Sequence, residues 1–159
     1  MNRKLMKIYL NDHLAVMAAV GAVAERSSRS NAGSPLGSWL AGFTDEQAGT
    51  QQALERAMRR LRVRKARWKV GAARLGQRAG QLKLNGRLRS YSPLSRVLEL
   101  ESLVAGVEWN IAVLGTLNDL ADPRLEELHL DARIQRSREH TAALERFRAE
   151  AASAAFRDR

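Results

Sequence analysis

The sequence predicts an all-α protein: one domain over residues 1–159, built as an antiparallel bundle of four to five helices. Three observations carry that reading. Apolar residues recur at helical spacing over long stretches, most clearly at Leu100, Leu103, Val107, Ile111 and Leu114. Polar or glycine-containing breaks at Ser27–Ser34, at 84–91 and at Asp122–Pro123 cut the chain into helix-sized pieces. Alanine and leucine are abundant and aromatics make up 5%, and no segment alternates apolar and polar residues over strand length.

The first helix is expected over about Leu5–Arg26, with Leu5, Tyr9, Asp12, Val16, Ala19 and Val23 as its stripe and His13, Met17 and Val20 beside it. The alternative is a later start capped by Asn11 or Asp12. The second helix, Pro35–Leu61, follows Ser34 as N-cap and Pro35 at the first helical position, where a missing N–H costs nothing. Its stripe is Leu36, Trp39 or Leu40, Phe43, Gln47, Thr50, Leu54, Met58 and Leu61, with a polar middle turn. A third helical segment carries Trp68, Ala72, Leu75, Ala79 and Leu82 as a seam, with Gly71, Gly76 and Gly80 permitting close approach. The seven-residue step Leu54, Leu61, Trp68, Leu75, Leu82 permits one continuous helix over 35–85. Arg64 and Lys65 interrupt that seam, so a bend near Arg62–Lys65 is the preferred reading.

The central helix, Leu94–Leu117, opens on Ser92 and Pro93 and ends near Leu120. Leu94, Leu98, Ala105 and Ala112 extend its apolar surface to a second face, which predicts burial on more than one side. Glu101 and Glu108, two turns apart, fall inside that arc; with Asp12 they are expected to be buried acids that need partners. The last helix should begin near Asp131 and bury Leu130, Ile134, Ser137, Thr141, Leu144 and Ala151. The two Ser-Pro-Leu helix starts suggest an internally duplicated helical hairpin.

The net charge of +10 is concentrated in one region. Residues 56–98 hold fourteen basic side chains and no acid, while residues 99–159 hold twelve acids against eight bases. Cysteine is absent, which excludes disulfides and thiolate metal sites and suits a reducing, cytoplasmic setting. Arg3, Lys4 and Lys7 before Leu14–Ala24 resemble an export signal, but Asn11, Asp12 and His13 break the approach. No apolar run approaches the ~20 residues needed to span a bilayer.

The strings Tyr9-Leu-Asn-Asp-His-Leu14 and Asn85-Gly-Arg-Leu-Arg-Ser-Tyr-Ser-Pro-Leu-Ser-Arg96, with the glutamates after them, resemble a group of uncharacterised small bacterial helical proteins. Those are similar in layout to ferritin-like bundles, so the resemblance implies a ferritin-like bundle and says little about activity. Ferritin-like di-iron centres draw glutamates and Glu-x-x-His pairs from facing helices. On that pattern Asp12, His13, Glu101 and Glu108 are the candidate ligands for iron or manganese. Against it, the one Glu-x-x-His is Glu126–His129, and Gln47, Thr50, Ser137 and Thr141 put neutral groups in the middle layer. The leading expectation is therefore no cofactor, with the acids serving as hydrogen-bond or ion-pair partners.

The basic stretch Arg56–Arg96 offers phosphate contacts, with Arg64, Lys65, Arg67 and Lys69 as candidate nucleic-acid-binding residues; an anionic lipid surface is a weaker match. Tyrosine and phenylalanine are absent from Arg56–Ser90, which leaves Trp68 for base stacking. Nothing supports nucleophilic catalysis: no serine lies in a nucleophile-elbow context, and the histidines are His13, His129 and His140. The expected function is non-catalytic binding or scaffolding by a self-associating homo-oligomer. A carboxylate-bridged metal oxidase or metal store, and a nucleic-acid-associated basic protein, are the alternatives.

Overall fold

A computed structural model of the chain describes residues 2–66 and 91–157. Four long helices account for most of them: α1 (Arg3–Ser30), α2 (Pro35–Arg60), α3 (Pro93–Asp119) and α4 (Leu130–Phe156). A short 3-10 helix, Pro123–Leu128, joins α3 to α4. No strand occurs among the described residues, and no helix there is long and apolar enough to cross a membrane.

Local chemistry explains each helix end. Asn2 caps α1 by accepting the Leu5 N–H at 3.2 Å, so the helix starts early and the later start at Asn11 or Asp12 does not occur. Ser34 and Ser92 cap α2 and α3 by accepting the N–H three residues on, at 3.1 and 3.0 Å. Beyond Arg60 the chain leaves the helix through a Schellman turn. Val63 N–H reaches Met58 O at 2.8 Å, Arg62 N–H reaches Arg59 O at 3.0 Å, and Arg62 has φ 56°. The bend expected near Arg62–Lys65 is thus present at Arg62. The seam from Trp68 to Leu82, the Leu84–Asn85–Gly86 stop, and Arg67 and Lys69 lie outside the described residues.

Contacts fix the helix directions. Down the α1–α3 seam, Arg26 meets Glu99, Val20 meets Gly106, His13 meets Trp109 and Tyr9 meets Thr116, so these helices are antiparallel. Asn118–Asp131 and Glu108–Thr141 make α3 and α4 antiparallel too. With α1 and α2 joined by the tight turn Asn31–Ser34, α2 and α3 must run the same way. The duplicated hairpin suggested by the two Ser-Pro-Leu starts would include residues 67–90, which lie outside the described residues.

The core has two apolar clusters. Leu10, Leu14, Leu54, Met58, Leu114 and Leu117 anchor the one at the α1 N-terminal end. Leu40, Phe43, Leu100, Leu103, Val107 and Leu144 anchor the other. Fully burying one such side chain is worth roughly 1.5–3 kcal/mol. Gln47, Asn110 and Ser137 lie between the clusters as a buried polar layer.

The second face expected for the central helix is reversed. Leu94, Leu98, Ala105 and Ala112 are exposed, as are Glu101, Glu108 and Asp12, which were expected to be buried. Val97, Gly106, Asn110, Val113 and Leu117 point inwards instead. Apolarity cannot orient a helix that is apolar nearly all round; close approach does. A Cβ on Gly106 would run into the Val20 side chain, so the glycine side of α3 is the one that can meet α1. On α1 the stripe is likewise displaced: His13, Met17 and Val20 are buried, while Leu5 and Asp12 are exposed.

Candidate functional site

The four proposed metal ligands take different places. His13 is buried between the Tyr9 and Trp109 rings, 4.4 and 5.0 Å away by centroid, with a hydrogen bond to the Trp109 backbone. Burial pushes its imidazole below the ordinary 6.5, partly opposed by that hydrogen bond and by the Asp12 charge. Asp12, Glu101 and Glu108 stand on the outer side of their helices, where Glu108 accepts a hydrogen bond from Thr141 at 3.1 Å. Glu126 and His129 border a cleft of about 500 Å³ beside the 3-10 helix. His129 has φ 49° and ψ 54°, so the two residues do not share the helical face that a Glu-x-x-His ligand pair needs. Among the described residues no group of three or more histidine, aspartate or glutamate side chains could hold a metal ion.

The buried acid is Glu99. It forms an ion pair with Arg26 of α1 and accepts the Tyr91 hydroxyl at 2.8 Å, and Tyr91 in turn accepts from the Asn31 amide at 3.1 Å. Burial pushes the Tyr91 phenol up. The group fastens the start of α3 to the end of α1. Sequence patterning overlooked Glu99 because it looked for acids inside an apolar arc, and the arc was phased towards Glu101.

The polar layer contains one residue with no expectation attached to it. Asn110 donates to Gln47 Oε1 at 2.9 Å, tying α3 to α2 across the core. Gln47 Nε2 and Asn110 Oδ1 have no hydrogen-bond partner among the described residues. Asn110 follows Val107 by three positions, a spacing that places it on the buried face and could have flagged it. On the α2–α4 side, Arg136 clasps Glu46 through two 2.6 Å bonds, and His140 lies 3.1 Å from the same carboxylate. The Arg136 bonds hold Glu46 below its ordinary range. His140 packs edge-on against Phe43 and Trp39, and burial lowers its pKa. These groups join helices.

Of the candidate nucleic-acid-binding residues, Arg64 is exposed, while Lys65 is ion-paired with Glu55 at 2.5 Å. Arg59 and Arg62 are also exposed, and Arg60 is paired with Glu127.

The outer side of α1 and α3 is different in kind. Seven large apolar side chains are exposed among the described residues, and five of them lie here: Leu5, Ile8, Leu94, Leu98 and Trp109. Trp109 is 50% exposed even though its ring touches His13. Flanking these are Val16, Ala19 and Val23 of α1, all partly exposed. Asp12, Glu101 and Glu108 are exposed on the same two helices. Comparison with protein families, with curated proteins and with solved structures finds no match to this chain.

Proposed function

We propose that this is a non-catalytic helical bundle of ferritin-like connectivity that works by binding and scaffolding, and that it self-associates. The carrying observation is the apolar outer face of α1 and α3, bordered by Asp12, Glu101 and Glu108. Its chemistry suits a polypeptide that is both apolar and basic. The chain supplies such a complement in residues 56–98, so one copy can offer its basic stretch to the face of another. The ferritin-like reading is supported by the helix directions: two antiparallel helix pairs, with α2 and α3 parallel. The buried polar groups, by contrast, are spent on holding helices together, and no observation favours the metal oxidase or store.

Sedimentation velocity over a range of concentrations tests this. Association is expected to rise with concentration and to be lost in a Leu98→Lys/Trp109→Lys variant that keeps its helicity. A monomer at every concentration overturns the self-association.

Nucleic-acid binding is the second reading, favoured by the exposed Arg59, Arg62 and Arg64 where the basic stretch begins. Phosphate contacts release counterions, so binding should weaken steeply with added salt and disappear when Arg64, Lys65, Arg67 and Lys69 are reversed in charge. No binding at low salt removes it.

A further inference from the structure

Between the two apolar clusters of the core, every long helix buries something short or polar: Ala18 on α1, Gln47 on α2, Asn110 on α3 and Ser137 on α4. Among the described residues, no large apolar side chain is fully buried between Phe43 and Leu54, or between Val107 and Val113. We propose that this waist is a site for internal water, bound by the side-chain amides of Gln47 and Asn110.

The pair cannot satisfy itself. Gln47 and Asn110 are 4% and 1% exposed, so both amides are out of reach of bulk solvent. One hydrogen bond joins them, from Asn110 Nδ2 to Gln47 Oε1 at 2.9 Å. It uses one end of each amide. Gln47 Nε2, a donor, and Asn110 Oδ1, an acceptor, have no partner among the described residues. Turning both amides over gives the reverse bond and again orphans one donor and one acceptor. Turning one alone sets like against like. The shortfall belongs to the pair in either orientation.

The described residues around the pair offer no remedy. All four residues of the waist lie inside helices, where main-chain N–H and C=O groups bond along their own helix. Ala18 has no polar side chain, and the Ser137 hydroxyl reaches neither orphaned atom. A buried amide end left unpaired bears its whole desolvation cost. Water meets both demands, accepting from Gln47 Nε2 and donating to Asn110 Oδ1. An ion matches less well. A cation would face the Gln47 N–H and an anion the Asn110 carbonyl, and no described charged side chain is buried between the clusters to balance either. With water bound, the layer joins α2 to α3 without an unpaired group, and a fully paired polar layer favours one helix register.

Water–protein NOE and ROE spectra of the isotope-labelled full chain test this. The Gln47 Nε2 protons are expected to show cross-peaks to water whose NOE and ROE have opposite signs. That pattern marks a water that stays bound while the protein tumbles, and it excludes simple proton exchange. A nearby hydroxyl in exchange with solvent can imitate it, so the spectra are repeated on Ser137→Ala, where the cross-peaks should remain. Their absence from the wild-type chain, or their loss in Ser137→Ala, overturns the proposal. A second measurement compares water-oxygen magnetic relaxation dispersion of the wild-type chain with that of a Gln47→Leu/Asn110→Leu variant of unchanged helicity. The variant should lose the contribution of at least one long-lived water, and equal amplitudes overturn the proposal. Where that variant does not fold, the wild-type and Ser137→Ala spectra decide the matter.

Discussion

The Ser34-Pro35-Leu36 and Ser92-Pro93-Leu94 starts share one tripeptide and one cap geometry, yet their leucines differ. Leu36 is 8% exposed and joins the core; Leu94 is 37% exposed and faces outwards. The serines make the same hydrogen bond, and the prolines take the same first position. What differs is the neighbour. Gly37 lets α2 fold back onto the Asn31 carbonyl, whereas α3 carries Ser95 at that place and leans on Tyr91 and Glu99 instead. Identical local chemistry starts a helix without deciding which side of it is covered.

The largest expected effect tests which side of α3 is inside. Val107→Asp buries an unpaired charge in the core and should cost several kcal/mol in denaturant unfolding. Near-native stability would place the inner face elsewhere. Next, Gly37→Ser turns the first start into a copy of the second. The new Cβ meets the Asn31 backbone, which cannot swing aside as a side chain can, so a loss of roughly 1–3 kcal/mol is expected. A neutral result would mean that the tight α1–α2 turn is not what separates the two starts.

Truncating the two leucines sharpens the contrast. Leu36→Ala should cost about 2–3 kcal/mol, in the lower part of the range for buried leucines, while Leu94→Ala costs under about 1 kcal/mol. Equal losses would show that something covers Leu94 as fully as Leu36 is covered. Removing the caps should erase the difference: Ser34→Ala and Ser92→Ala are each expected to cost about 1 kcal/mol. Unequal costs would give one serine a further role.

Acid adds the smallest and most gradual effect. His13 and His140 have pKa values lowered by burial, so the unfolded chain binds their protons more readily. Stability should be level above about pH 7, fall as pH drops below the ordinary imidazole value of 6.5, and fall again below 4.5 as Glu46 loses its clasp on Arg136. Urea midpoints across pH 4–8 check the sign, and a His140→Phe variant should flatten part of the first step. A midpoint that rises on acidification from neutral pH to 5 contradicts it.

Much of the fold is legible in the chain because its signals are local. Ser34, Pro35, Ser92 and Pro93 specify helix starts by side-chain geometry alone, and the spacing of Phe43, Leu54 and Met58 specifies the buried stripe of α2. The same spacing finds Leu144 and Ser137 on α4. Helix ends are less legible. Arg62, Ala121 and His129 take the left-handed conformation that sequence reading expects of glycine or asparagine, at a cost of roughly 1–2 kcal/mol each that the surrounding contacts must offset. The outer face was misread for a related reason. Leu94, Leu98 and Glu101 lie on a helix whose apolar residues run nearly all round, so periodicity has no single direction to report.

The sequence by itself determined that the chain is helical, where α2 and α3 begin, and that a polar layer containing Gln47 and Ser137 would interrupt the core. These follow from capping, spacing and composition, which act within a few residues. Tertiary structure alone decided that Glu99 and not Glu101 is the buried acid, that Asn110 reaches Gln47, and that Leu98 and Trp109 face outwards. Each of those outcomes depends on which helix comes close enough to exclude water. On α3 that choice was made by the missing side chain at Gly106, through its contact with Val20.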